Sequence, residues 1–142
     1  MSHLTGVAAK PLDRRVRILL ADDHPVIRKT VRTALEVHPR FEVCGEAVDG
    51  AKAIEEAKKL KPDVVILNVS MPVLNGFEAA REIKANLPQT AIIILSTDAD
   101  RRFVEEAKRI GARAYVAKIR AAEVLAKAIE AALLGGDFVL ME

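Results

Sequence analysis

From Val16 onward the chain alternates short apolar runs with amphipathic stretches. Val16–Ala21 (VRILLA) is a compact apolar run that stops abruptly at Asp22-Asp23. His24-Pro25 then opens a helical stretch, since proline is tolerated in a first turn where its missing N–H has no partner to lose. Val26, Val31, Ala34 and Leu35 recur there at helical spacing, and the stretch ends near His38-Pro39. Phe41–Ala47 alternates like a strand, and Asp49-Gly50 marks the turn after it. Ala51–Lys61 sets Ala53, Ile54, Ala57 and Leu60 on one helical face and its lysines and glutamates on the other, until Pro62. Val64–Leu67 and Ala91–Leu95 are further apolar runs, followed by helices over Phe77–Leu87 and Arg101–Ile110. Gly111 is placed for a left-handed cap. Ala114–Ala117 (AYVA) is a short strand, and Ala121–Leu134 is the last amphipathic helix before Gly135-Gly136.

This is a strand-helix unit repeated five times. Strands that are apolar on both faces need cover on both sides, which means a parallel sheet between two layers of helices. Right-handed crossovers in so short a chain give an open α/β doubly wound sheet, not a closed barrel. The expected architecture is flavodoxin-like: five strands in the order 2-1-3-4-5 with helices on both faces. Residues 1–15, with Gly6 and Pro11 and no period, are expected to form a flexible arm. The domain proper runs over 16–136, and 137–142 is expected to be a tail with no output domain.

Composition narrows the function. The 142 residues include 22 Lys+Arg against 20 Asp+Glu, a formal charge of +2. That balance argues against nucleic-acid binding through a basic surface by this chain alone, and against a polybasic membrane anchor. No apolar run reaches the roughly 20 residues that span a bilayer. One cysteine, Cys44, has no partner for an internal disulfide, which fits a reducing cytoplasm. On the second strand it reads as a small core residue rather than a redox centre.

In such a sheet, ligands bind outside the carboxyl ends of the strands. Those ends carry Asp22 and Asp23, Asn68, Ser96 with Thr97, and Lys118. Two adjacent carboxylates repel and call for a cation, and a hard ion such as Mg²⁺ suits oxygen ligands. The plainer alternative is that the pair caps the first helix. Ser96 is either a satisfied strand-end hydroxyl or a donor to an anion. Lys118 is either a surface lysine or a point charge for a phosphoryl group. His24 either approaches the metal from the mouth of the cleft or, the plainer reading, is a solvated loop histidine; Met71-Pro72 reads as loop shaping and Asn75-Gly76 as turn chemistry.

Together, Asp22-Asp23, the segment Val64–Gly76 ending Asn-Val-Ser-Met-Pro-Val-Leu-Asn-Gly, Ser96 and Tyr115-Val-Ala-Lys118 resemble the receiver domain of two-component response regulators. The likeness runs from about Val16 to Gly136. The ADDHP opening and the VSMP loop are similar to those of regulators with a helix-turn-helix output domain. The resemblance implies an Mg²⁺ site, with Asp23 as a direct ligand, Asp22 as an outer-sphere one and Ser70 offering its carbonyl. It also implies an aspartate after the third strand that accepts a phosphoryl group from a sensor histidine kinase or phosphotransfer protein. Ser96 and Lys118 would then hold the phosphoryl oxygens, and Tyr115 would turn with the state of the switch. The face of the fourth helix, fifth strand and fifth helix would meet partners, a second copy among them.

The departure is Asn68, an amide at the phospho-acceptor position. It still offers the metal site an oxygen, but it lacks the charge and nucleophilicity of a carboxylate, so acyl-phosphate formation there is excluded. The missing charge also implies weak or absent Mg²⁺ binding. Two histories fit, a natural phosphorylation-silent receiver or an introduced Asp→Asn block, and the undisturbed remainder of the site favours the first. A second departure is Ile119 after Lys118, where many receivers have proline. The expected function is a signalling receiver and not an enzyme, or else an interaction module independent of phosphorylation. A haloacid-dehalogenase-type phosphohydrolase needs Asp-x-Asp, and the positions two beyond Asp22 and Asp23 are His24 and Pro25.

Overall fold

The structure is a computed structural model that describes residues 14–97 and 100–142. Six parallel strands form one sheet in the order β2-β1-β3-β4-β5-β6. They are β1 (Val16–Ala21), β2 (Phe41–Ala47), β3 (Val64–Asn68), β4 (Ala91–Ser96), β5 (Ala114–Ala117) and β6 (Val139–Met141). The helices are α1 (Pro25–Glu36), α2 (Gly50–Leu60), α3 (Gly76–Asn86), α4 (Arg101–Arg109) and α5 (Ala121–Leu133), with a single 3-10 turn at Lys118–Arg120. The expected arm at 1–15 lies, apart from Arg14 and Arg15, outside the described residues.

Every residue of β3 and β4 is buried, as continuous apolar strands covered on both faces require. One core layer joins Ile18, Leu20, Ile66, Ile93 and Val116 to Leu35 of α1 and Leu125 and Ile129 of α5. The other joins Leu19, Leu67, Ile92, Ile94 and Tyr115 to Ala57 of α2, Ile83 of α3 and Ala107 of α4. Alternate residues of one strand thus feed opposite layers. Gly111 has φ +86, as the left-handed cap requires. Among the described residues no helix is long and apolar enough to cross a membrane.

Two expectations need correcting. The sheet has six strands, because residues that read as a tail pair with the outer edge of β5, Val139 beside Ala114 and Met141 beside Val116. Three residues are too short a run for alternation to be legible, and a Gly-Gly step reads as the end of a fold. Cys44 is half-buried instead of a core residue. The register passes from Ile18↔Val43 to Leu19↔Gly45, so Cys44 is the unpaired residue of a bulge. Burial nonetheless pushes its thiol pKa up, away from the reactive thiolate.

Candidate functional site

The carboxyl ends of β1, β3 and β5 bring Asp22, Asp23, Asn68, Ser70 and Lys118 into one crevice. Asp22 is fully buried, and its Oδ1 accepts the His24 backbone N–H at 2.9 Å, an Asx turn that bends the chain into α1. The N-cap of α1 is His24, with no side-chain cap bond. The carboxylates therefore do not cap that helix in the ordinary way.

Asn68 ends β3 and is 3% exposed. Its Nδ2 lies 2.8 Å from the Ser70 carbonyl, 3.3 Å from Asp23 Oδ1 and 3.4 Å from Asp22 Oδ1. All three neighbours are acceptors only, so the amide must turn its N–H₂ toward them. The Lys118 side chain is 7% exposed, with Nζ 3.0 Å from Asp22 Oδ2. That oxygen has no partner of hydrogen-bond geometry, so the contact is Coulombic. Ser96, at the end of β4, is 3% exposed and pairs in register with Ala117, just before Lys118.

His24 lies at the mouth of this cluster, solvated and yet within reach of both acids. Its side chain is 57% exposed, yet Nδ1 stands 2.9 Å from Asp22 Oδ1 and 3.2 Å from Asp23 Oδ1. The Asx turn folds the ring back over the acids, a consequence of the Asp-Asp-His-Pro order that was open to inspection. The outer support was not visible in sequence. Arg28 Nη1 donates to the Asp22 carbonyl at 2.7 Å while its Nε donates to Glu46 Oε1 at 2.9 Å, tying β1, β2 and α1 together behind the acids.

The β3–α3 loop is shaped by close approach. A Cβ on Gly76 would lie 2.2 Å from the Asn68 carbonyl oxygen, so only glycine lets α3 start against the end of β3. Asn75 and Glu78 close a reciprocal capping box there. Beside this loop a cavity of about 580 Å³ opens from Asp23 and Ser70 toward Phe77 and Phe103, whose rings meet edge to face at 5.7 Å. Tyr115 is 1% exposed, turned into the core, and the Lys118–Ile119 peptide is trans.

The donor chemistry tests the implied metal. Carboxylate oxygens of Asp22 and Asp23 and the Ser70 carbonyl suit a hard divalent cation. One ligand atom from each of Asp22, Asp23 and His24 falls within 4.8 Å of the others. Asn68 turns its N–H groups toward these oxygens, and its amide brings no charge to the set.

An open parallel sheet whose strand ends gather an acid pair, a buried hydroxyl and a lysine is the arrangement expected of a receiver, and the match to the receiver family model shows that the chain belongs to that family. The model of the response regulator receiver domain matches residues 18–130. The chain is 41% identical over 121 residues to the transcriptional regulatory protein YxjL of Bacillus subtilis, covering 85% of this chain and 56% of that protein. It thus spans about half the length of the curated relatives it matches. Among solved structures, it is similar to a LuxR-family two-component response regulator from Aurantimonas, with TM-score 0.83, 33% identity and coverage of 88% and 89%. It is also similar to the non-phosphorylated receiver domain of RcsB from Escherichia coli, with TM-score 0.82, 29% identity and coverage of 91% and 100%.

Proposed function

We propose that this receiver works without phosphorylation at its acceptor position. Asn68 stands there, and its amide bridges Asp22, Asp23 and Ser70 in place of a cation. The observation that carries the reading is the set of three acceptors around Asn68 Nδ2 at 2.8–3.4 Å. An amide in that place neutralises no charge and attacks no phosphorus, so neither tight Mg²⁺ binding nor an acyl phosphate follows. Lys118, committed to Asp22, and buried Ser96 are the groups that would hold phosphoryl oxygens in a carboxylate-bearing receiver. Tyr115 would be the switch residue.

The receiver proper spans residues 16–141, β6 included, in the cytoplasm, as a signalling partner and not a catalyst. Its partners are a sensor histidine kinase or phosphotransfer protein that docks without transferring, and a second copy through the face of α4, β5 and α5, where β6 now covers the edge of β5. With no phosphoryl group to bias the equilibrium, the populations of that face are set by the fold alone. Acetyl phosphate with Mg²⁺ tests this by intact mass. The chain stays unmodified and Asn68→Asp gains one phosphoryl group; modification of the parent at position 68, or none of the variant, refutes the reading.

A further inference from the structure

The outer edge of β5 is filled by residues of the same chain. β6 runs parallel to it, with Tyr115 beside Leu140 in register and the Val139 N–H donating to the Arg113 carbonyl at 3.0 Å. Around it, Lys108 Nζ lies 5.5 Å over the Phe138 ring, and Arg120 Nη1 donates to the Glu142 carbonyl at 2.8 Å. Val139 and Met141 pack on the α5 side of the core and Phe138 on the α4 side.

This cover is thin. No residue of β6 is buried, whereas Ala114, Tyr115 and Val116 of the strand it covers all are. A three-residue edge strand held from one side belongs to the low-stability end of local opening. Once it lifts, β5 presents the unpaired N–H and C=O groups of a template for another strand. The tether permits movement. Gly135 sits at φ +74, and a Cβ on Gly136 would meet nothing within 4 Å. The five steps from Leu134 to Val139 reach up to about 17 Å when extended.

We propose that β6 is an exchangeable strand: in a dimer, β6 of each copy fills the β5 edge of the other. Edge and strand occur in every copy, so the exchange restores each backbone and core contact in trans, the condition for swapping. The gain comes from apolar surface around the exchanged strand. Leu134 (74% exposed) leads into it, Leu140 (44%) lies within it, and Ile119 (93%) precedes the arginine that holds its end. The inference does not rest on the chemistry at Asn68.

The test mixes isotope-labelled and unlabelled copies of the chain and records isotope-filtered contacts, alongside sedimentation over rising concentration. In parallel, Cys44→Ser/Ala114→Cys is oxidised with Cys44→Ser/Val139→Cys. The expected result is a doubling of mass at high concentration, contacts between Ala114 of one copy and Val139 of another, and a mixed disulfide as the main covalent dimer. A dimer without these contacts overturns the exchange while leaving a docked face intact. A mass that stays monomeric at every concentration overturns it too.

Discussion

Lys118 Nζ stands 3.0 Å from Oδ2 of an Asp22 side chain that solvent does not reach. The lysine thus compensates a buried carboxylate before any ligand arrives. Breaking a buried pair by deleting one partner costs about 3–5 kcal/mol. Asn68 and His24 still touch Asp22 Oδ1 here, which softens the loss. Lys118→Met should destabilise the fold by about 2 kcal/mol in urea melts, and Asp22→Asn in the same chain should recover part of that. Additive losses would mean the pair is not coupled.

Gly76 begins α3, and in an exposed helix Gly→Ala stabilises by up to about 1 kcal/mol. Here the added Cβ would press on the Asn68 carbonyl oxygen at 2.2 Å. Gly76→Ala should reverse the usual sign and destabilise by about 2–3 kcal/mol. Equilibrium unfolding checks it, and a neutral or stabilised variant would show that the loop has room to yield.

Val73, at the tip of the β3–α3 loop, holds φ +70 while 76% exposed. A β-branched residue in that region stores about 1–3 kcal/mol of strain. Glycine relieves it and loses about 0.5–1 kcal/mol through its freer unfolded chain. Val73→Gly should therefore raise stability by about 1 kcal/mol, read as a higher urea midpoint at unchanged slope.

Glu46 supports the site through Arg28. Burial alone would raise its carboxyl pKa, but hydrogen bonds and charge from Arg32 and Arg28 outweigh this and hold it below the ordinary value. A folded pKa below the unfolded one contributes stability above the unfolded value, lost as pH falls through the folded value. Stability should thus decline as pH drops below about 4.3, and Glu46→Gln should flatten that part of the pH profile. An unchanged profile would exclude Glu46 as a source of the acid sensitivity.

Much of this was legible because β1, β3 and β4 are buried on both faces: their unbroken apolar runs, each ending in a polar residue, announce both the sheet and the edge where chemistry collects. Asp22, Asp23, Asn68 and Lys118 were found as strand ends, and the structure brings them together. Three features were not legible. β6 depends on an edge that exists only once β5 is in place. Cys44 leaves the core through a bulge, and alternation assumes there is none. Arg28 and Glu46 look like surface charges until α1 lies over the end of β2.

Calorimetric titration of Mg²⁺ into the chain and into Asn68→Asp tests the central claim most directly. Restoring one carboxylate in place of the bridging amide should tighten binding by at least about tenfold, or ~1.4 kcal/mol. Equal affinity in the two proteins would mean that Asn68 does not stand in for the ion, and the account of a receiver silenced at this residue would fail.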